Sequence, residues 1–224
     1  MSEAPKKLVI FGIEATARVA HYFFDTDSDF EVVAFTVNQQ YIDSNEFMGL
    51  PLVPFEQITE SHPPSEYLMY VAIGYSDMNR LRAAKYHEAK EMGYQLASYV
   101  SSRCTYLSEN NVGDNTLIME DNTIQPFVKI GNDVILWSGN HVGHDTIIED
   151  HVFVASHAVI SGFVRVCSYC FIGVNATLRD AITIAPETLI GAGAVITKDT
   201  EQADVFVPPR PVKLDKKSFE LKIS

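Results

Sequence analysis

An aliphatic residue stands at every sixth position from Val112 to Ile196: Val112, Ile118, Ile124, Ile130, Leu136, Val142, Ile148, Val154, Ile160, Val166, Ile172, Leu178, Ile184, Ile190 and Ile196. No chance arrangement of Val, Ile and Leu sustains such a run. A glycine often follows the aliphatic residue, as at Gly113, Gly131, Gly143, Gly173 and Gly191. Self-similarity at a short fixed period marks a stacked solenoid, here a β-helix of six-residue repeats, in which neighbouring coils share one continuous core.

The first hundred residues follow a different pattern. "KKLVIFG", "FEVVAFTVN" and "YLMYVAIG" have the length and apolarity of buried strands, and "GLPLVPFEQI" reads as a turn or short strand. "EATARVAHYFF" carries helical spacing at Ala17, Ala20, His21 and Phe24. "NRLRAAKYHEAKEMG" reads as a helix with Gly93 at its C′ position, and "YQLASYV" as a closing strand. Strands alternating with helices predict a small parallel sheet with helical crossovers. The expected organisation is therefore α/β plus all-β. A Rossmann-like domain spans 1–103, a β-helix 104–202 and a tail 203–224.

A formal net charge of −12 over 224 residues argues against nucleic acid or an anionic membrane as the main partner. A phosphorylated small ligand remains compatible, because clustered backbone N–H groups hold anions on an acidic protein. Three cysteines (Cys104, Cys167, Cys170) without framework spacing read as reduced thiols. The opening "MSEAPKKLVIFG" shows neither a signal peptide nor a membrane span, so a soluble cytoplasmic protein is expected.

Four of the seven histidines lie in "GNHVGHDTIIEDHVFVASH", Gly139 to His157. His141 precedes Val142 by one and His144 follows it by two, while His151 and His157 each stand three after an aliphatic position. None is at an inward site, so buried core histidines are not expected. Their spacing does not converge on one metal ion, so no metal is expected. Cys170 stands two before an aliphatic position and Cys167 one after one, a lone C-x-x-C that reads as core plus surface, not a redox pair. His144-Asp145 is a candidate base: neutral imidazole suits proton abstraction near pH 7, and an adjacent carboxylate fixes its tautomer. Gly162 stands three hexads after His144, and a glycine leaves its backbone N–H uncovered.

These motifs resemble the hexapeptide-repeat sugar acyltransferases, which join a small N-terminal α/β domain to a C-terminal left-handed parallel β-helix. The resemblance runs from "KKLVIFG" through "GAGAVITKD". It implies three hexads per coil, the aliphatic residue and the one two before it pointing inward, and a homotrimer with active sites between subunits. "HVGHDTII" resembles the family's His-Asp line, which implies His144 as general base, Asp145 as its orienting partner and the Gly162 amide as oxyanion donor. "TLIGAGAVITKDT" resembles the segment that grips coenzyme A. It implies cofactor contacts at Gly191, Ala192 and Gly193, with Gly173 and Val174 in the preceding coil and Lys198 for a phosphate. In the N-terminal domain the resemblance implies substrate contacts at Gly12, Ile13, Glu14, Asn38 and Gly74. His141, one residue before Val142, is a further binding candidate bordering the cleft of His144. Three departures are plain. Gly12 is the lone glycine of a turn that usually has several, Asn38 stands where an acidic residue often contacts the base or ribose, and "VPPRPVKL" replaces the usual tail, with Pro211 and Lys213 as partial matches.

The implied activity is direct acetyl transfer from acetyl-coenzyme A to the amino group of a nucleotide sugar in bacterial glycan biosynthesis. Two other readings share the same scaffold: acetylation of a sugar hydroxyl, and a non-catalytic trimeric β-helix. Failure of a nucleotide to stabilise the protein would favour the first, and failure of coenzyme A to bind would favour the second.

Overall fold

A computed structural model describes residues 5–220. Five strands form the N-terminal sheet: β1 (Lys6–Phe11), β2 (Phe30–Val37), β3 (Glu46–Phe47), β4 (Leu50–Pro54) and β5 (Leu68–Val71). Their order is β3-β4-β2-β1-β5, parallel except for the β3-β4 pair. Helix α1 (Ala15–Thr26) follows β1, the single-turn α2 (Ile58–Ser61) follows β4, and α3 (Arg80–Glu91) follows β5. Strands buried on both faces require continuous apolar runs, and Leu8 to Phe11 are all buried. α3 ends as its sequence predicts. Gly93 has φ +94°, its N–H reaches Lys90 O and the Tyr94 N–H reaches Ala89 O, which is a Schellman closure.

The remainder is a three-faced parallel β-helix. The first face carries Tyr99–Val100, Leu117–Ile118, Ile135–Leu136, Phe153–Val154, Phe171–Ile172, Leu189–Ile190 and Val205–Phe206. The second runs from Thr105–Tyr106 through Thr123–Ile124, His141–Val142, Val159–Ile160 and Thr177–Leu178 to Val195–Ile196. The third holds Lys129–Ile130, Ile147–Ile148, Arg165–Val166 and Thr183–Ile184. Every pairing joins residues eighteen apart within these faces except at the closing Val205–Phe206 strand, as in His141 with Val159. Seven strands on one face make the prism roughly 29 Å tall at strand spacing. The hexad aliphatics from Ile118 to Ile196 are buried, and so are the residues two before them, including Thr116, Asn122, Asn140 and Thr146. The polar ones are satisfied internally: Asn122 Oδ1 accepts the Asn140 N–H and Asn140 Oδ1 accepts the Ala158 N–H.

The β-helix ladder begins at Tyr99 and ends at Phe206. The expected boundary at 103/104 thus falls inside the first coil, and 202/203 falls before the last strand. "YQLASYV" is divided between the two domains. Leu96 bridges Met69 on the edge of the α/β sheet, whereas Tyr99–Val100 pairs with Leu117–Ile118. The six-residue aliphatic run is broken at Tyr106, which hides this first coil from the sequence. The domains share a core in which Phe24, Phe35 and Tyr70 pack with Leu117, Ile135 and Phe153 from the outer side of the first face.

Candidate active site

Every sixth residue from Asn115 to Gly193 has positive φ, always the third after a hexad aliphatic. These left-handed residues make the prism corners, and the residue before each is carried at an edge. Asn, Asp and His tolerate this conformation better than most side chains. That preference accounts for Asn115, Asp133, Asp145, His151 and His157, two of the four clustered histidines among them.

His144 lies at the edge between the second and third faces. Its Nδ1 is 3.0 Å from Asp145 Oδ2, and its ring meets Phe163 edge-on at 4.9 Å. The His144 backbone N–H donates to Gln125 Oε1 at 3.2 Å. With Nδ1 engaged by the carboxylate, Nε2 is the nitrogen left for a substrate. That nitrogen lies over Gly162: a Cβ at 162 would sit 3.0 Å from Nε2. The Gly162 N–H donates to no protein acceptor among the described residues. Gly143 keeps it uncovered, since a Cβ at 143 would come within 2.5 Å of the Gly162 nitrogen. The imidazole side chain is 49% exposed, so a substrate can reach it. The same edge continues at eighteen-residue steps through Asp180 to Lys198, an exposed cation without an ion pair among the described residues.

The other predicted contacts fall elsewhere. Gly173, Val174, Gly191, Ala192 and Gly193 lie at the edge between the first and second faces. Gly193 is open, with nothing within 4 Å of the point a Cβ would occupy, and Val174 is 43% exposed. A thin, accessible backbone of this kind suits an extended pantetheine arm bonding to N–H and C=O groups. Within one chain it does not meet His144. His141 sits on the second face, half-buried.

Gly12, Ile13, Glu14, Asn38 and Gly74 gather at the carboxyl end of the α/β sheet. Gly12 follows β1 with φ +120°, and a Cβ there would press to 2.9 Å from Ala72 O. Gly74 follows β5 and faces Thr16 in the first turn of α1. Because β1 is flanked by β2 on one side and β5 on the other, the chain reverses its winding between β1 and β5. Ligands of open α/β sheets bind at this switch point. Asn38 is tied to Glu56 by a 2.9 Å hydrogen bond from Nδ2. The N–H of Gln39 also donates to Glu56, and these bonds hold the Glu56 carboxyl below its ordinary range.

Two expectations are corrected. His151 is buried, at 6% exposure, with Nδ1 2.8 Å from Asp133 Oδ2 and its ring stacked on Tyr169 at 4.9 Å. Its burial comes from α3, which packs on the edge between the third and first faces, a contact the repeat lattice does not reveal. Cys167 is likewise buried rather than a surface residue, at 8% exposure. All three cysteines are free. Burial pushes the Cys104 thiol up to about 11 and the Cys170 thiol up to about 12, so neither is a ready nucleophile. Sequence reasoning missed Gln125, Phe163 and Arg82. The first two were legible as His144's lattice neighbours, 125 being one coil before Gly143 and 163 one coil after Asp145.

No group of three His, Cys, Asp or Glu side chains converges as a metal site among the described residues. Nor is any described helix long and apolar enough to cross a membrane. Comparison with known proteins adds three findings. Residues 127–162 match the family profile "Bacterial transferase hexapeptide (six repeats)". Curated relatives are acyl-[acyl-carrier-protein]–UDP-N-acetylglucosamine O-acyltransferases. That of Pseudomonas putida is 32% identical over 115 residues, covering 50% of this chain and 36% of the relative. That of Aliivibrio salmonicida is 25% identical over 95 residues, covering 39% and 36%. The chain thus spans little more than a third of the length of the curated relatives it matches. Among solved structures, a point mutant of perosamine N-acetyltransferase from Caulobacter crescentus, in complex with CoA and GDP-perosamine, superposes with TM-score 0.81 at 22% identity, over 93% of this chain and 97% of that one. The acetyltransferase domain of PglB from Neisseria gonorrhoeae, in complex with acetyl coenzyme A, gives 0.77 at 20% identity over 90% and 95%. Residues 127–162 therefore match the hexapeptide repeat, and the chain shares across both domains the fold of these two acetyltransferase structures.

Proposed function

We propose that this chain transfers an acetyl group from acetyl-coenzyme A to the amine of a nucleotide-linked amino sugar of the kind used in bacterial glycan synthesis. The observation that carries the reading is His144: Nδ1 held by Asp145, Nε2 free, and Gly162, whose N–H is uncommitted among the described residues, beside the same nitrogen. In this reading Nε2 takes the proton from the attacking amine, and Asp145 stabilises the imidazolium that forms. The Gly162 N–H receives the negative charge that develops on the thioester oxygen. Collapse then breaks the C–S bond, and the imidazolium proton goes to the departing coenzyme A thiolate. No covalent enzyme intermediate is needed. The raised pKa values of the half-buried Cys104 and buried Cys170 thiols agree with direct transfer through a ternary complex.

The division of residues among edges supports assembly. His144 and Lys198 occupy one edge of the prism, and Gly173, Val174, Gly191, Ala192 and Gly193 occupy another. A ring of three copies would set one edge against the other across each interface, giving a homotrimer with three clefts. Acetyl-coenzyme A would lie in that cleft, with its thioester at His144 and its phosphates toward Lys198. The nucleotide would bind at Gly12, Ile13, Glu14, Asn38 and Gly74. A cytoplasmic location goes with these substrates.

The test is thiol release from acetyl-coenzyme A by wild type and His144→Ala, over UDP-, dTDP- and GDP-linked amino sugars. Turnover on one amine, falling roughly 10²–10⁴-fold in the variant, is expected. A second reading, transfer to a sugar hydroxyl, is favoured by the O-acyltransferases among the relatives and by the single glycine at Gly12. It is the outcome if coenzyme A binds but no amine is acetylated.

A further inference from the structure

The five residues after Gly74 are the most strained segment of the N-terminal domain. Asp77, Met78 and Asn79 have φ of 50°, 49° and 66°, three left-handed residues in succession. Left-handed φ is unfavourable for residues with a Cβ, least so for Asp and Asn, and three in a row persist only where the surroundings impose them. Asn79 also forgoes a stabilising role. It is the N-cap of α3, yet its side chain makes no capping bond.

Arg82 imposes the conformation. It is fully buried, and all five of its N–H groups have acceptors. Nε donates to Asp133 Oδ1 (3.1 Å), Nη1 to Gly74 O (2.8 Å) and Asn79 Oδ1 (3.0 Å), and Nη2 to Asp133 O (3.0 Å) and Val152 O (3.5 Å). Both ends of the 74–79 segment are therefore tied to one guanidinium, which is anchored in turn on two corners of the β-helix. Asn79 Nδ2 adds a bond to Cys170 O at 3.1 Å. Asp133 is held by Asn115 and His151, and Asn115 also closes the backbone edge of β5 at Val71. A buried ion pair adds little stability over an apolar contact of the same size, and its best use is to fix geometry. What this one fixes is the loop beside the switch point.

The loop presents a single large side chain. Tyr75 is 57% exposed, and its ring rests on Phe153 at 5.0 Å and Phe171 at 4.9 Å, themselves stacked at 10°. β5 is the sheet edge nearest the β-helix, while Asn38 lies beyond β1 after β2. A nucleotide sugar laid across the crevice, diphosphate at Gly12 and the first turn of α1, has its base on the Asn38 side. Its sugar then falls on the Tyr75 side.

We propose that Tyr75 is a substrate-binding residue that stacks on the sugar ring of the nucleotide-linked substrate, and that Arg82 is the positioning residue that holds its loop in place. This rests on the crevice binding a nucleotide sugar. The polarised C–H face of a pyranose meets the electron-rich face of the phenol ring, and the Phe153–Phe171 floor keeps that ring from turning away.

The experiment measures equilibrium binding by calorimetry, so that it does not depend on turnover. Wild type, Tyr75→Ala, Tyr75→Phe and Arg82→Lys are titrated with the UDP-, dTDP- and GDP-linked amino sugars, the corresponding free nucleotides, and coenzyme A. Tyr75→Ala should weaken the sugar nucleotide about tenfold and leave the free nucleotide and coenzyme A unchanged, while Tyr75→Phe stays near wild type. Arg82→Lys keeps the charge but loses the fork. It should weaken the sugar nucleotide similarly with coenzyme A affinity intact, whereas a merely structural role would lower both. Equal affinities in wild type and Tyr75→Ala, equal losses for sugar nucleotide and free nucleotide, or no sugar-nucleotide binding by wild type would each overturn the proposal. Tyr75-dependent binding without any acetyl transfer would sustain it and overturn the reaction alone.

Discussion

The two nitrogens of His144 face different surroundings, and Gly162 is where they can be tested. Gly162→Ala keeps the backbone N–H but adds a methyl 3.0 Å from Nε2 and 3.1 Å from Cε1. The ring, as a flexible side chain, yields by a few tenths of an ångström. Displacing a catalytic group on that scale costs roughly tenfold in kcat, with coenzyme A affinity preserved. Steady-state kinetics on Gly162→Ala check this, and an unchanged kcat would exclude a base at His144 acting over residue 162. The pair was legible in the sequence because the lattice carries residue 144 to 162 in one coil. His151 was not. The lattice keeps it out of the prism's interior, and only the packing of α3 against its corner makes it a buried His-Asp contact. A repeat predicts what points into its own prism and is silent on what another domain lays against it.

Elements are joined across the domain boundary at both ends of the α/β unit. Beyond the end of α1, Asp27 accepts hydrogen bonds from Tyr99 Oη (2.6 Å) and the Ser102 N–H (2.9 Å) of the first coil. Bonds from Ser102 first, then Tyr99, hold its carboxyl at about 2, below the ordinary 3.8. The stabilisation from this depressed acid is complete above about pH 4 and is lost as pH falls through about 2. Asp27→Asn should therefore unfold at lower temperature than wild type near neutrality, and the gap should close as pH approaches 2. Thermal melts by circular dichroism at several pH values decide it; a gap independent of pH would assign the contact no charge. The sequence indicated α1 and the strands around it. It did not show that "YQLASYV" serves two sheets, because seven residues of strand-like composition look alike whichever neighbour pairs with them.

For the whole molecule, the separation of His144 from the Gly173–Gly193 edge makes a prediction about mixtures. If each cleft takes one edge from one copy and the other edge from the next, His144→Ala and Val174→Trp each abolish activity alone. Val174 is exposed, so the substitution obstructs the cleft without touching the core. Subunits unfolded together and refolded at equal ratio then form mixed trimers in which about a quarter of all clefts are wild type. Activity near a quarter of wild type is expected, and sedimentation should give three times 25.0 kDa. No recovery in the mixture would mean that both edges serve the same subunit's site.

The eighteen-residue coil also makes the prism a ruler. Along the His144 edge, distance comes only in steps of about 4.8 Å, and Lys198 stands three steps away. Removing one whole coil between them would shorten that span by one step and leave every later side chain on its own face. Removing a single hexad would turn all that follows by a third of a revolution, carrying Lys198 to another edge altogether. The length of ligand such a groove accepts can therefore change only in increments of a coil, while its chemistry varies residue by residue.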